Sequence, residues 1–403
     1  MDYVVYSLAA LSAFSLAAHV IFFMLVGSKT MRTRVRPDAP VDPTLALGDR
    51  PRPPVTIMKP CAGADDDLDA CLESFCRLNY PSYQIVFGVR DASDAAYPVL
   101  QTVKARHPEM DIEIVLCSAG RAASPKVANL EVMITHAKHA TLWLSDSNTL
   151  VHPDTLASMI DELNVEGVGV VASPIVGVGE TTLGSTLEIL QLSTFTNLTA
   201  MATIVFPGRL TVPGKSMLVP REIVEAIGFD ELGKYFGEDE ILFSEVRKRN
   251  LRCVLGRYAV GNVCRRATVK RFMSRHHRWA QIRWSTAPML ACLYEFIFSP
   301  VVPSFVWAIV APTRLSLTAL AIAMVYQLLA DSLVLYLMRG RALPLRQLPV
   351  IWLRPMLSAY LSFRAAIDRR VEWRGQHFWM GPKSSVMQEP PLRAWLREVR
   401  GVR

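Results

Sequence analysis

Acidic side chains follow two predicted strands at the points where the strands end. The apolar segment QIVFGV runs into Arg90-Asp91-Ala92-Ser93-Asp94, and TLWLS runs into Asp146-Ser147-Asn148. In parallel α/β sheets, ligands bind outside the carboxyl ends of the strands. Carboxylates there can accept hydrogen bonds from a base or a ribose, or hold a divalent cation against a diphosphate. The alternative is a turn or a helix cap at each aspartate, but two such strands in one sheet favour a nucleotide site.

A third acidic cluster, Gly237-Glu238-Asp239-Glu240, precedes the helical segment ILFSEVRKRN. Acids in a first helical turn are stabilised by the helix dipole, which is the structural alternative. The functional interpretation makes Asp239 a general base that takes a proton from an incoming hydroxyl. Lys126 and Asn129 open another predicted helix in SPKVANL, where a cation and an amide suit a phosphate.

The segment SRHHRW, from Ser274, places two arginines and a tryptophan just before a long apolar run. Arg275 and Arg278 are three residues apart and therefore share one face of a helix. A guanidinium pair can neutralise a departing diphosphate, and Trp279 can stack on the ligand. The alternative is a basic interfacial helix that contacts lipid head groups. The three acidic sites upstream favour the catalytic interpretation.

Alternating strands and helices position these motifs. Five segments have the composition of strands: VTIMK, QIVFGV, IEIVL, TLWLSD and GVGVVAS. Between them lie four segments with helical spacing: DDLDACLESFCR, AAYPVLQTVKARH, PKVANLEVMITHAKH and HPDTLASMIDELN. This alternation predicts an α/β fold with a doubly wound, mostly parallel sheet.

Apolar segments flank this region. Residues 3–26 contain no Asp, Glu, Lys or Arg and are long enough to cross a bilayer, so they predict an anchor, with a cleaved signal peptide as the alternative. Two more spans are predicted at 288–311 and 315–338. The segment 345–363 carries Arg346 and Arg354 and is predicted to lie on the membrane surface.

The formal net charge of +8 is explained by topology. Basic clusters follow the first and third predicted spans, and the positive-inside rule places both in the cytoplasm together with the domain between the spans. The first cluster is Lys29, Arg32, Arg34 and Arg36, and the second is Arg339, Arg341 and Arg346. The charge therefore predicts contact with membrane lipids and no nucleic-acid partner.

The chain accordingly divides into five predicted segments. They are an anchor at 1–28, a basic, Pro-rich linker at 29–54, a cytoplasmic catalytic domain at 55–286, two spans at 287–340, and an interfacial helix with a cytoplasmic tail at 341–403.

The acids and the basic motif together resemble the D,D,D,(Q/R)xxRW signature of membrane-bound, inverting GT-A glycosyltransferases. Three further features resemble the ceramide glucosyltransferase family. These are arginine at the first place of Arg275-His276-His277-Arg278-Trp279, PKVANL from Pro125, and DSNTLVHPDTL from Asp146. The closing VEWRGQHFWMG, from Val371, is similar to that family's tail. The hopanoid-pathway glycosyltransferases are also similar.

The resemblance implies a role for each motif residue. Asp94 is the first motif acid, with Asp91 near the nucleotide, and Asp146 is the second, at the diphosphate and metal. Asp239 is the third and accepts the proton. The UDP-sugar site is completed by Lys126, Arg275, Arg278 and Trp279. The implied cofactor is Mg²⁺ or Mn²⁺ at Asp146 and Asn148, although Asp146-Ser147-Asn148 offers one carboxylate where many GT-A enzymes have two.

The implied reaction is inverting transfer of glucose from UDP-glucose to the primary hydroxyl of ceramide, giving β-glucosylceramide. A hopanoid or diacylglycerol acceptor is the alternative within this class. A processive polysaccharide synthase fits less well, because three spans supply few helices for a polymer channel. A non-catalytic membrane protein that binds a nucleotide sugar would have no use for a base at Asp239.

Overall fold

The computed structural model describes residues 2–27, 36–42, 51–64, 67–205, 214–288, 291, 299–373 and 376–388. Several predictions fall on residues outside these ranges. They are the basic residues Lys29, Arg32 and Arg34, and most of the first half of the second predicted span.

A seven-stranded sheet forms the centre of the predicted catalytic domain. Its order is β3-β2-β1-β4-β8-β6-β9, and β8 runs antiparallel to both β4 and β6 while the other pairings are parallel. The strands are β1 (Val55–Pro60), β2 (Tyr83–Val89), β3 (Ile112–Leu116), β4 (Thr141–Ser145), β6 (Val168–Ala172), β8 (Ser216–Pro220) and β9 (Arg252–Leu255). The predicted α/β fold with a mostly parallel sheet is confirmed.

The described residues also form two three-stranded sheets, β5-β10-β7 and, near the C-terminus, β11-β12-β13. Their strands are β5 (Thr149–Leu150), β7 (Ile175–Val178), β10 (Val260–Val263), β11 (Arg370–Trp373), β12 (Gln376–Met380) and β13 (Val386–Met387). These strands have two to five residues. Such short segments have too little periodicity to be recognised in the sequence.

Helices cover both faces of the central sheet. The helices of residues 67–286 are α2 (Leu68–Cys76), α3 (Tyr97–Arg106), α4 (Pro125–Met133), α5 (Thr155–Leu163), α6 (Leu183–Leu190), α7 (Asn197–Val205), α8 (Arg221–Ile227), α9 (Phe229–Leu232), α10 (Glu238–Lys248) and α11 (Val269–Thr286). A π-helical segment, Gln191–Thr196, joins α6 to α7. Adjacent strand residues point to opposite faces, so Ile57 packs in one core with Phe75 of α2, and Met58 packs in the other with Met133 of α4. Because both faces are covered, the strands consist of continuous apolar runs.

Two helices are long and apolar enough to cross a membrane: α1 (Asp2–Phe22), which continues to Val26, and α13 (Arg314–Arg339). The side chains of His19 on α1 and Tyr326 on α13 are joined by a hydrogen bond of 2.9 Å. In the second predicted span, the described helix α12 (Val301–Val310) has ten residues. At 1.5 Å per residue it covers about half of a hydrocarbon core roughly 30 Å thick.

The segment predicted to lie on the membrane surface forms a 3₁₀ turn, Leu345–Gln347, and the helix α14 (Val350–Ile367). Arg354 on α14 is 1% exposed and lies 3.5 Å from the carboxylate of Asp331 on α13. Its guanidinium also donates to Gln191 Oε1 at 3.3 Å. Since a buried guanidinium needs partners, these contacts join α14 to α13 and to the π-helical segment.

The C-terminal sheet packs against the segment that leads into α10. Phe236 contacts Val371, Phe378 and Met380, and its backbone N–H donates to Ser384 O at 2.9 Å. The strands β11, β12 and β13, which lie in the segment predicted as a cytoplasmic tail, therefore support the loop that leads to the third acidic cluster at the start of α10.

Candidate active site

A cavity of about 1000 Å³ opens at the carboxyl ends of β1, β2, β3 and β4. All of the predicted site residues except Asp91 line it: Asp94, Lys126, Asp146, Asn148, Asp239, Arg275, Arg278 and Trp279. The rule that ligands bind at the carboxyl edge of a parallel sheet thus locates the cavity correctly.

The two aspartates after β2 have different surroundings. Asp94 Oδ1 accepts hydrogen bonds from the backbone N–H of Gly63 at 2.7 Å and of Ala96 at 2.9 Å, so it joins the loops after β1 and β2 at the cavity wall. The carboxylate of Asp91 accepts from the hydroxyl and the backbone N–H of Ser93, and these bonds hold the pKa of Asp91 below its usual range. Asp91 therefore stabilises a local turn and does not line the cavity.

Both carboxylate oxygens of Asp146 contact lysines. Lys126 Nζ lies 2.8 Å from Oδ1, and Lys215 Nζ lies 2.9 Å from Oδ2. Burial alone would raise the pKa of Asp146, but the two ammonium groups outweigh it and hold the pKa well below the ordinary value. Lys126 also lies 2.8 Å from Glu238 Oε1. Burial disfavours its charge, and the carboxylates of Asp146 and Glu238 reverse that effect and raise the pKa of Lys126.

The fold explains why these lysines meet at Asp146. Lys126 stands in the first turn of α4, directly after Pro125, a residue favoured there because its φ angle is already helical. Lys215 precedes β8, whose antiparallel register sets Ser216 opposite Ser145, so Lys215 comes beside Asp146. The backbone N–H of Asp146 donates to Lys215 O at 3.0 Å. Sequence analysis missed Lys215, although a lysine between VPG and a short apolar run is visible in the sequence.

A third lysine lies behind Asp146. Lys59, at the end of β1, is completely buried and donates to Asp146 O at 2.8 Å and to Thr149 Oγ1 at 3.2 Å. Burial lowers the pKa of Lys59 to about 8. Its bonds hold the turn after β4 from beneath, so the Asp146 carboxylate is presented to the cavity in a fixed position.

The residues predicted to hold Mg²⁺ or Mn²⁺ are not arranged as a metal site. Asp146 gives both oxygens to lysines, and Asn148 Oδ1 accepts from Lys215 at 3.3 Å. Hard cations take several oxygen ligands. Within the described parts of the chain, no three His, Cys, Asp or Glu side chains are grouped to bind a metal ion. The contacts at Asp146 and Asn148 therefore do not fit a divalent cation.

Asp239 lies in the first turn of α10 and is partly exposed to the cavity. Its Oδ2 accepts from the backbone N–H of Gly214 at 2.9 Å, and its Oδ1 accepts from that of Glu240 at 3.0 Å. Burial, followed by the repulsion of Glu238, raises the pKa of Asp239 to about 7. A carboxylate with a pKa near neutrality is suited to receive a proton from a hydroxyl. A Cβ on Gly214 would stand 2.3 Å from the Cβ of Asp239, so this close approach requires glycine.

The basic motif occupies the middle of α11, whose first turn is capped by the Thr268 hydroxyl. Arg275 Nη1 lies 3.3 Å from Oε2 of Glu188, a fully buried carboxylate on α6. His276 Nε2 lies 3.0 Å from the same oxygen, and its ring meets that of Trp279 edge-on at 5.1 Å. Burial alone would raise the pKa of Glu188, but Arg275 and His276 hold it at about 2. His276 therefore stabilises the motif through its contacts with Glu188 and Trp279.

Glu188 was missed in the sequence, where it is an isolated acid in the apolar helix LGSTLEIL. Phe195 and Thr196 of the π-helical segment and Thr199 of α7 also line the cavity. Ile282 and Ala287, near the C-terminal end of α11, continue the wall toward α12. The cavity thus extends from the charged groups at the sheet edge to the end of α11 that leads into the apolar helices.

The fold is that of a GT-A glycosyltransferase, and the cavity at the carboxyl edge of its sheet holds a carboxylate of raised pKa and an arginine-containing motif that precedes apolar helices. The sequence model of glycosyl transferase family 21 matches residues 12–386. The chain belongs to glycosyl transferase family 21. This confirms the resemblance to ceramide glucosyltransferases that the motifs indicated.

Curated relatives give the same family. A ceramide glucosyltransferase of Candida albicans is 36% identical over 123 residues, which are 27% of this chain and 22% of that protein. Ceramide glucosyltransferase 1 of Caenorhabditis elegans is 23% identical over 62% of this chain and 52% of its own length. Ceramide glucosyltransferase 3 of the same organism is 20% identical over 84% of this chain and 75% of its own length. The chain thus spans about a fifth of the length of the Candida albicans protein and about half of the length of ceramide glucosyltransferase 1.

Among solved structures, a mannosyltransferase from Pyrobaculum calidifontis, in complex with GDP-Man and Mn²⁺, matches with a TM-score of 0.45 and 17% identity. The match covers 88% of this chain and 99% of that one.

Proposed function

We propose that this protein is a membrane glycosyltransferase that transfers glucose from UDP-glucose to the primary hydroxyl of ceramide with inversion. One observation carries the proposal. Asp239, a carboxylate with a pKa raised to about 7, shares a cavity with Lys126, Lys215, Arg275 and Arg278. A base and a set of cations in one cavity suit an acid-base step beside a departing diphosphate.

The donor lies along the carboxyl edge of the sheet. Its diphosphate is set against Lys126 and Lys215, and Arg275 and Arg278 face the same charge from α11. Asp94 lies at the nucleotide end, and Trp279 packs beside the ligand. The buried Glu188 holds Arg275 in place, so the positive charge is fixed before the donor binds. Such preorganised charge costs no reorganisation when the bond to the leaving group breaks.

Transfer occurs in one displacement. Asp239 takes the proton of the acceptor hydroxyl as its oxygen attacks the anomeric carbon. The bond from that carbon to the diphosphate oxygen breaks, and UDP leaves with the electron pair. Attack from the face opposite UDP inverts the anomeric centre. The cavity supplies proximity and orientation, which account for a large part of such rate enhancements.

The acceptor enters from the end of the cavity next to the apolar helices. Ile282 and Ala287 line this end, and α12 and α13 follow it along the chain. A lipid can keep its acyl chains beside these helices while its hydroxyl reaches Asp239. In this proposal the chain crosses the membrane several times, and its catalytic domain lies in the cytoplasm. Basic residues after α13, including Arg341, agree with the positive-inside rule.

Transfer of label from UDP-glucose tests this proposal directly. Membranes that contain the protein are incubated with added ceramide and radiolabelled UDP-glucose, UDP-GlcNAc or UDP-galactose, and the lipids are separated by thin-layer chromatography. We expect a ceramide-dependent glycolipid from UDP-glucose, and none with the matched variant Asp239→Asn. Parallel assays replace ceramide with a hopanoid or a diacylglycerol. Product that forms only with one of these lipids refutes the ceramide acceptor, and absence of product from every donor and acceptor refutes the transferase activity.

A further inference from the structure

The Asp146 carboxylate lies between two ammonium groups at the place where a cation would bridge to a diphosphate. Lys126 approaches one oxygen at 2.8 Å and Lys215 approaches the other at 2.9 Å. Lys59 donates to the backbone carbonyl of the same residue from beneath. Three lysines thus converge on one aspartate, and with Glu238 beside Lys126 the group keeps a formal excess of one positive charge.

The two cavity lysines retain hydrogen-bonding capacity. An ammonium group has three N–H donors. Among the described residues, Lys126 uses one on Asp146 and one on Glu238, and Lys215 uses one on Asp146 and one on Asn148. One donor of each lysine remains, and both side chains line the cavity. Each lysine can therefore donate to a phosphate oxygen without releasing Asp146.

The same contacts work against a divalent cation. A metal ion at Asp146 would stand beside the two ammonium groups that lie 2.8 and 2.9 Å from its carboxylate oxygens, and their positive charge would oppose its binding. The carboxylate acts instead as a fixed anchor that holds both ammonium groups at the diphosphate. Because a lysine ammonium is a compact charge with several donors, it suits this task.

We infer that Lys126 and Lys215 supply the charge neutralisation at the nucleoside diphosphate that a divalent cation would otherwise provide, so that donor binding and transfer proceed without divalent metal. The inference rests on the proposed function for the identity of the ligand. As the bond from the anomeric carbon to the diphosphate oxygen breaks, the electron pair goes to that oxygen. Both lysines stay protonated and donate to the phosphate, while the acceptor proton goes to Asp239.

The first experiment needs no variant. UDP binding to the purified full chain in detergent is measured by titration calorimetry in EDTA, and again with Mg²⁺ or Mn²⁺ after EDTA is removed. We expect the two affinities to differ by less than about threefold, and transfer from UDP-glucose to persist in EDTA. Loss of UDP binding or of transfer in EDTA, restored by Mn²⁺, would overturn the inference and leave the proposed function intact.

The second experiment assigns the effect to Lys215. Lys215→Met removes the donors, and in EDTA we expect UDP affinity to fall about ten- to a hundredfold, as for loss of a charge-assisted hydrogen bond. Lys215→Arg keeps a charged donor and should recover most of the affinity. Lys104→Met, at an exposed position on α3 outside the cavity, is the matched control and should bind UDP like the wild type.

Wild-type affinity of Lys215→Met in EDTA would refute the role of Lys215. If this variant does not fold, as judged by its melting temperature in detergent, the wild-type comparison in EDTA still decides the inference. Metal-independent, Lys215-dependent UDP binding without transfer to any acceptor would uphold the role of the lysines in donor binding and refute the proposed function.

Discussion

Asp239→Asn keeps the size of the side chain and removes its ability to accept a proton. If Asp239 is the general base, we expect kcat to fall about 10²- to 10⁴-fold, the range that such groups contribute. UDP binding should change little, because the diphosphate is held by Lys126, Lys215 and the arginines of α11. The variant therefore separates loss of the chemical step from loss of the donor site.

The surroundings of Asp239 set the expected effect on stability. Burial and Glu238 raise its pKa from 3.8 to about 7. At about 1.4 kcal/mol per pKa unit, this means a cost of up to about 4 kcal/mol for the ionised form at neutral pH, and about 2 kcal/mol once exposure to the cavity is considered. Asparagine removes that cost and loses one backbone hydrogen bond, from Gly214 or Glu240, worth about 1 kcal/mol. We expect the free energy of unfolding to be equal to that of the wild type or about 1 kcal/mol higher.

Three measurements on the same preparation test this reasoning. They are single-turnover transfer from labelled UDP-glucose, UDP affinity by calorimetry, and the melting temperature in detergent. A near-wild-type rate would show that another group takes the proton. A large loss of stability together with the loss of activity would show that Asp239 is a structural acid whose charge is favourable, contrary to the raised pKa.

Three further predictions follow from the site. First, kcat/KM should rise with pH to a plateau above about 7, because Asp239 must be ionised to act. Since the folded-state pKa of Asp239 is raised, the wild type should also lose stability relative to Asp239→Asn as the pH rises from 3.8 to about 7. A stability difference that does not change with pH would contradict this prediction. Second, Glu188→Gln removes the carboxylate shared by Arg275 and His276, so we expect about 3 kcal/mol lower stability in denaturation and a higher KM for the donor; unchanged values of both would refute the role of Glu188 as a positioning residue. Third, Gly214→Ala forces a Cβ against Asp239 and should lower kcat about a hundredfold with UDP affinity retained, whereas a wild-type kcat would show that the loop adjusts freely.

Five of the seven strands of the central sheet, and the edge at which the cavity lies, could be predicted from the sequence. The five strands predicted from apolar runs became β1, β2, β3, β4 and β6, because burial on both faces gives each strand a continuous apolar run that is local in the chain. Acids that directly follow such strands reach the same edge by the geometry of a parallel sheet. The location of Asp94 and Asp146 at the cavity could therefore be predicted from their positions directly after the strands.

Turn geometry and side-chain direction could not be predicted in the same way. Asp91 and Asp94 both follow β2, and only the folded loop shows that Asp91 bonds to Ser93 while Asp94 faces the cavity. His276 lies inside the motif, and only the packing of α11 against α6 turns its ring toward Glu188. Both distinctions depend on the surroundings of a side chain, which its neighbours in the chain do not specify.

Which charged side chains come into contact depends on the packing of elements that are distant in the chain. Lys215 and Asp146 are 69 residues apart, and they meet because β8 inserts antiparallel beside β4 with Ser216 opposite Ser145. His276 and Glu188 are 88 residues apart and meet where α11 crosses α6. Local propensity fixes each element, whereas the register between distant elements follows from burial of the whole core. The sequence therefore revealed the acids and arginines of the site, and only the fold revealed the partners that set their charge and position.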